Sequence, residues 1–505
     1  MTPPLSALPA RFGAPIGATN VAVVAARELD EPCSPCAAYE RFRGDPFPWL
    51  LESALARADV GRFSFVGASP ELVLRVRDGV ARIERPRAGG AASPSRATRV
   101  ADPLDALRAI LPPPPVEVPA LVEHVPFVGG AVACLGYELG SFTEPVALAA
   151  RDELGLDDLV ALRVDRVVVF DHESQRAFAV GLGVGPSRET ARRAAERATE
   201  ALAARVRGLR YEAQMSEERA RSRGRTAVPE RAVLRTEPAS YAKAVELLLE
   251  QIDAGNVYQA NLTQRIDVPF DGDPFQLYRA LRRRNPAPFA ACIELPEVAV
   301  LSSSPERFLR VDAHGRVQSR PIKGTRPRGD AARADAGLAH ALAHSAKDRA
   351  ENLMIVDLVR NDLGRACRTG SVRVPSLMAI EGYASVWQMV STVEGELRDG
   401  CDAIDLVRAS FPPGSMTGAP KIAAMRWIDR VEPVRRTFYA GALGYFDARG
   451  GIDTSVVIRT ILLRDGRAHL HVGGGVVADS SAEGEYAESL DKASALLDAL
   501  ASAEG

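Results

Sequence analysis

The sequence predicts an α+β protein built on largely antiparallel sheets, and three observations carry that prediction. The first half alternates short apolar runs with tight-turn residues, as in "RFSFVGASPELVLRVRDGVARIERP". The second half mixes amphipathic helices with strand-like runs, without the regular βαβ alternation of a parallel sheet. No internal repeat or low-complexity tract imposes another architecture.

Taken in order, "VAVVAAREL", the run beginning at Arg62 and "ALRVDRVVVFDHESQRAFAVGL" read as strands separated by Gly, Asp-Gly and His-Glu-Ser turns. From Ser187 to Arg210 the pattern becomes an Ala-rich helix, acidic near its start and basic near its end, as the macrodipole favours. Residues 211–235 are polar and without sustained periodicity, and read as a linker or surface segment. After them come the helix "TEPASYAKAVELLLEQIDAG" and the strand-like runs "FAACIEL", "VAVLSSS", "GALGYFDA" and "SVVIRTILLRDGRAHLHVGGGVV". "LRRRNP" (281–286) reads as a solvated helix end.

The chain has 505 residues, 46% hydrophobic and 25% charged, with a formal net charge of −2, so no global field draws it to nucleic acid or an anionic membrane. The first twenty residues lack the pattern of a charged stretch followed by an apolar one, and no apolar run of about 18 residues occurs in the sequence. The expectation is a cytoplasmic protein with no nucleic-acid or membrane partner. Six cysteines are too scattered for a disulfide framework, and "CSPC" (33–36) lacks the second Cys or His pair of a zinc site.

Unusual residues crowd into the second half. Asp348 and Glu351 stand i,i+3 on one predicted helix, and Glu485 and Glu488 repeat the device on the last. Such pairs are either two solvated faces, with Glu488 and Lys492 as an i,i+4 ion pair, or the oxygen ligands of a hard cation such as Mg²⁺. "FPPGSMTGAPK" and "HVGGGVVADS" read as glycine-rich loops whose bare N–H groups suit an anion, though neither has nucleotide-loop spacing. Arg459, in the apolar run "SVVIRTILL", needs an anionic partner, either a ligand or a structural carboxylate. Basic charge is written with 58 Arg and only 5 Lys. Lys323 of "RPIKGTRPRG" therefore suggests a wanted amine, with Gly324 beside it leaving room for substrate; Lys421 and the other lysines share that argument.

Nine blocks in chain order resemble the chorismate-utilising enzymes: "IDAGNVYQANLTQR", "SSSPERFLRV", "RPIKGTRPRG", "AKDRAENLMIVDLVRNDLGR", "PPGSMTGAPK", "ALGYF", "VVIRT", "VGGGVVADS" and "EYAESLDKA". The resemblance implies a large chorismate-binding α/β sandwich, with residues 236–505 as the catalytic domain. Residues 1–210 form a region similar to the N-terminal part of the anthranilate-forming members, through "LLESA", "GRFSFVG" and "GGAVACLGYEL". "LLESA" is similar to part of the tryptophan pocket of those members. By motif, Glu351 and Glu488 resemble ligands of a Mg²⁺ cofactor, with Glu485 and Asp348 nearby. Arg459, Tyr445, Thr417, Gly473, Gly474, Gly475, Gln259 and Thr325 resemble the substrate-binding set, and Glu306 an acidic catalytic group.

Two positions bear on the reaction. Family members that add water at C2 carry a basic lysine where this chain has Gln259, and glutamine cannot serve as that base. Anthranilate-forming members carry alanine where this chain has Lys323, whereas "PIKGT" resembles the branch that makes 4-amino-4-deoxychorismate for p-aminobenzoate and folate. The resemblance thus implies amination of chorismate at C4 through a covalent Lys323 adduct at C2, with amination at C2 and pyruvate elimination as the alternative. No G-x-C-x-G elbow surrounds any cysteine, so ammonia is expected from a glutamine amidotransferase partner. Trp387 and Gln388 stand where many relatives have a histidine nearby.

Overall fold

Two antiparallel sheets of twelve strands each lie face to face, and helices cover their outer sides. The computed structural model describes residues 20–30, 33–55, 60–86, 97–209, 228–329, 331–383 and 386–503, with eleven α-helices among them. The α+β prediction holds, and the layers form the expected sandwich.

The first sheet runs Val21–Glu28, Arg176–Gly185, Arg166–Asp171, Phe63–Gly67, Trp49–Glu52, Phe289–Glu294, Ala299–Ser304, Thr460–Arg464, Arg467–Val476, Gln259–Pro269, Val233–Leu234, with Gly418–Ala419 added onto Gln259–Pro269. The second runs Ile322–Pro327, Val386–Glu396, Arg316–Arg320, Arg307–Val311, Ile452–Val456, Ala442–Asp447, Gly130–Leu135, Leu159–Val164, Leu72–Arg77, Val80–Glu84, Thr98–Arg99, with Arg373–Gly382 beside Val386–Glu396. Both sheets take strands from both halves of the chain. Trp49–Glu52 pairs with Phe289–Glu294, and Gly130–Leu135 with Ala442–Asp447.

Side-chain alternation explains the layers. Leu72, Leu74 and Val76 face an outer core with the helices Pro103–Ile110, Ala346–Gly364 and Ala403–Ser410, whereas Val73, Val132 and Cys134 face the inter-sheet core. On the other side, Pro35–Phe42, Arg188–Val206, Pro274–Arg284 and Ala482–Ala503 cover the first sheet. Among the described residues no helix is long and apolar enough to cross a membrane.

Local signals translate directly. The Asp-Gly turn expected after "LRVR" has Asp78 at φ 48° and Gly79 at φ 71°, the left-handed pair that a two-residue hairpin requires. Ser187 caps Arg188–Val206 by accepting the Thr190 amide. Most of the expected linker, residues 211–227, lies outside the described residues; at its end Val233–Leu234 pairs with Asp267 and Ile266.

Three expectations are corrected. Residues 473–475 are not a loop but the interior of the strand Arg467–Val476. The run "SVVIRTILL" is not one strand: the chain leaves the second sheet after Val456 and enters the first at Thr460, with Arg459 at the crossing in a left-handed conformation, φ 52°. "LRRRNP" is not wholly solvated, because Arg282 turns inward to the buried Glu52 carboxylate, 2.7 Å away.

Candidate active site

Lys323 sits on Ile322–Pro327, the edge strand of the second sheet. Pairing runs Ile322 with Val390 and then Thr325 with Gln388, so the register shifts around Lys323, an irregularity that re-aims a side chain. Gly324, at φ 86°, accompanies it. A Cβ there would lie 2.9 Å from Asp348 Cβ and from Leu342, so the missing side chain makes room for neighbouring helices rather than for substrate.

The basic residues around Lys323 are each matched to a carboxylate: Arg320 with Glu381, Arg326 with Asp348 at 2.6 Å, Arg328 with Asp335 at 2.6 Å. Among the described residues Lys323 alone of this segment has no carboxylate at ion-pair distance. Burial pushes its pKa below the ordinary lysine value; Lys492 adds to that, while Glu351, Glu306 and Glu488 oppose it.

The two acidic helices converge on this amine. Ser345 caps Ala346–Gly364 by accepting the Asp348 amide, which sets Glu351 one turn further along. Burial raises the pKa of Glu351, and Glu488 and Asp348 add to the rise. Burial and Glu488 likewise raise Glu485, which is 3% exposed and accepts from Ser480 at 2.6 Å. Burial works on Glu488 too, but the Lys492 ammonium at 2.7 Å outweighs it and holds Glu488 below the usual range. Asp348 is turned away to Arg326. The i,i+4 pair of Glu488 and Lys492 therefore exists, at the solvent-facing rim of the cluster, with the Glu488 side chain 47% exposed and that of Lys492 35%.

The triple glycine is what lets these parts meet. Gln259–Pro269 pairs with Arg467–Val476, placing Thr263 opposite Gly473 and Asn261 opposite Gly475. A Cβ on Gly473 would lie 2.0 Å from the Leu262 carbonyl; on Gly474, 2.7 Å from Glu485 Oε2. On Gly475 it would lie 2.2 Å from Gln259 Nε2 and 3.2 Å from Lys323 Nζ. Both side-chain polar atoms of Gln259, Glu485 Oε2 and Gln388 Oε1 are buried without a hydrogen-bond partner. Unmet polar groups of this kind suit a polar ligand.

Residues 411–420 close the remaining side. Tyr258 N donates to the Ala419 carbonyl at 2.7 Å and Asn261 N to the Thr417 carbonyl at 2.8 Å. Thr417 is fully buried, its hydroxyl donating to Gly414 O. Ser415 hydrogen-bonds Glu306, which is 4% exposed; burial pushes the Glu306 carboxyl up to about 7 against the lowering effects of Ser415 and Lys323. Arg459 donates to the Lys492 carbonyl at 3.0 Å and has no carboxylate at ion-pair distance among the described residues. Burial lowers its pKa, with Tyr439 and Glu488 opposing.

Lys323, Glu306, Glu351, Glu485, Glu488, Gln259 and the three glycines are thus brought together, with Arg459 reaching the cluster through Lys492 and Glu488. Thr325 is exposed further along the edge strand. Tyr445 stands apart: its ring stacks on Phe127 at 4.8 Å in the inter-sheet core. It lines a separate cavity of about 290 Å³ shared with Leu51, Glu52, Ser53 and His124, so "LLESA" and Tyr445 belong to one space. Sequence reasoning missed Ser415, Tyr439 and the place of Lys492; only Lys492, four residues after Glu488, left a signal.

The model of the chorismate binding enzyme family matches residues 89–498. An aminodeoxychorismate synthase of Streptomyces griseus is 41% identical over 90% of this chain and 61% of its own length, so this chain spans less than two thirds of that relative. Aminodeoxychorismate synthase component 1 of Salmonella typhimurium is 36% identical over 90% of this chain and 92% of its own, and anthranilate synthase component 1 of Thermus thermophilus 38% over 91% and 93%. The crystal structure of anthranilate synthase component I from Streptococcus pneumoniae superposes with a TM-score of 0.71 at 29% identity, covering 88% of this chain and 94% of that one.

Proposed function

The chain belongs to the chorismate-binding enzyme family, and from that premise we propose that it is an aminodeoxychorismate synthase acting on C4 of chorismate. Overall identity does not separate this reading from an anthranilate synthase, since relatives of both names match about equally well. The observation that carries the choice is Lys323: a desolvated amine without a carboxylate partner, beside Gln259, which cannot act as a base toward water.

In the proposed reaction the neutral Lys323 amine attacks C2, the ring double bonds shift, and the C4–O bond breaks. Glu306, protonated below about pH 7, donates its proton so that the hydroxyl leaves as water. Ammonia then adds at C4 as the shift reverses, the C2–N bond breaks to return the lysine amine, and the new C4 ammonium gives one proton back to Glu306. Gln259 and the Gly473–Gly475 backbone hold the ring, and Arg459 takes a carboxylate. Tyr445 is left out of the substrate contacts because it lies in the inter-sheet cavity.

The carboxylates suit Mg²⁺. The donor set is all oxygen, Glu485 has an unpartnered buried oxygen, and burial, with repulsion from Glu488 added to it, raises Glu351 and Glu485. No three acidic, His or Cys side chains among the described residues already form a cage, so Glu351 and Glu488 would hold the ion with Glu485 and Asp348 nearby, water and substrate oxygens completing it. When bound, the ion supplies charge neutralisation for a chorismate carboxylate. The "component 1" in relatives' names supports a second subunit, which we take to be a glutamine amidotransferase supplying ammonia in the cytoplasm for p-aminobenzoate and folate synthesis.

The test compares wild type with Lys323→Ala on chorismate, Mg²⁺ and ammonium, with an EDTA control. The expected wild-type product is 4-amino-4-deoxychorismate, lost with EDTA and reduced about 10²-fold or more in the variant. Anthranilate as the main product, formed equally well by Lys323→Ala, would sink this reading in favour of the anthranilate one.

A further inference from the structure

Lys421 shares the composition argument with Lys323, but its surroundings give it another task. Its Nζ donates to Asp362 Oδ2 at 2.8 Å, to the Ser410 carbonyl at 2.7 Å and to the Pro412 carbonyl at 3.0 Å, using all three N–H bonds. Both side chains of the pair are 6% exposed. Asp362 lies on Ala346–Gly364, the helix that carries Glu351, while Ser410 and Pro412 open the loop that Lys421 closes. One ammonium therefore fastens both ends of residues 411–420 to the acidic helix.

That loop touches the site twice. Ser415 bonds Glu306, and Thr417, Gly418 and Ala419 zip onto Tyr258–Asn261 through hydrogen bonds and strand pairing. A cavity of about 10 Å³, the space of one water, is lined by Ser415 together with Glu306, Ser319, Asp362 and Ser410. The Ser410 hydroxyl is buried and unpartnered.

We propose that the Asp362–Lys421 ion pair is a positioning device for the amination site, pressing loop 411–420 between the helix of Glu351 and the strand of Gln259 so that Ser415 meets Glu306. The inference rests on reading Glu306 and Lys323 as the reacting pair. A purely structural pair would hold the core without affecting turnover, and exchanging both charges for apolar groups of similar size would then be nearly neutral. Lys421 and Asp362 touch no reacting atom and act only through the loop.

The experiment uses the full chain and three variants: Lys421→Met combined with Asp362→Leu, Asp362→Asn, and Ser415→Ala. Hydrogen exchange read by mass spectrometry should show peptides covering 411–420 and 259–263 exchanging about tenfold faster in the double variant. With ammonium as co-substrate, its kcat should fall about tenfold while the chorismate KM stays within about threefold. Asp362→Asn should change both readouts in the same direction by less, and it decides the matter if the double variant does not fold.

Glu306 faces Lys323, Ser415 and the Ile322 amide, and Asp362 faces Lys421, Arg365 and Glu144. Losing the Ser415 hydrogen bond removes an influence that lowers Glu306, so the alkaline limb of the pH profile should move to higher pH in Ser415→Ala and in the double variant alike. Unchanged loop exchange, or faster exchange with unchanged kcat and pH profile, overturns the proposal. If wild type itself does not aminate chorismate, the functional reading fails separately, and the exchange data still decide whether the pair holds the loop.

Discussion

At Glu306 the interior works against ionisation: a carboxyl that titrates near 4.5 when exposed is pushed up to about 7 by burial. The raised value makes the neutral acid the form that fits the fold. Its stabilising effect is complete below about pH 4.5 and is lost as the pH rises through about 7, where the folded protein must carry a buried charge. Glu306→Gln, neutral at every pH, should therefore resist urea better than wild type at pH 8, by up to about 3 kcal/mol, and equally well near pH 4.5. The same variant should lose about 10²–10⁴-fold in amination, and a wild-type level would remove Glu306 from the chemistry. Wild-type turnover should fall above about pH 7 as Glu306 ionises, while burial of Lys323 lowers its pKa and so favours the neutral amine that the attack needs. Residue types were legible here and environments were not. Lys323 and Lys421 are identical in sequence terms, yet one lacks a carboxylate partner and the other is held by three acceptors, a difference made by segments distant in the chain.

Among the elements, the strand Arg467–Val476 shows why its glycines misled. Three consecutive glycines weaken a strand by composition alone, so a loop was the natural expectation. Their use is visible only with the neighbours in place: Gly473 lets the Leu262 backbone approach, and Gly475 leaves space for Gln259 and Lys323. The two should fail differently on substitution. Gly473→Ala meets a carbonyl at 2.0 Å and should cost about 1–3 kcal/mol of stability, seen as a lower urea midpoint. Gly475→Ala meets side-chain ends, and should spare most of the stability while lowering kcat/KM for chorismate about 10²-fold. A normal kcat/KM in Gly475→Ala would show that Gln259 and Lys323 need no such proximity. Helices were easier to read, because caps and i,i+3 spacing are local: Ser187, the acidic pairs and the final helix all sit where the residues put them.

For the whole molecule, the order of strands was the part no local pattern contained. Alternation located the strands, but pairing joins residues hundreds apart, and nothing in "GGAVACLGYEL" names "GALGYFDA" as its neighbour. Because both sheets are shared between the halves, residues 228–505 alone should not fold. Phe289–Glu294 and Ala442–Asp447 would become bare edges, and Ile293, Leu443 and Tyr445 would lose the Val73, Phe127 and Val132 side of their core. Expression of that fragment should give aggregated protein, and co-expression with residues 1–209 should restore a soluble pair; a soluble, cooperatively melting fragment would contradict this. The shared sheets also set a timetable for the ribosome. Gly130–Leu135 is made about 300 residues before Ala442–Asp447, a wait of roughly 15–60 s at ordinary translation rates. Through that interval the nascent chain carries an open apolar strand edge, so its yield in a cell depends on chaperone supply as much as on the finished fold.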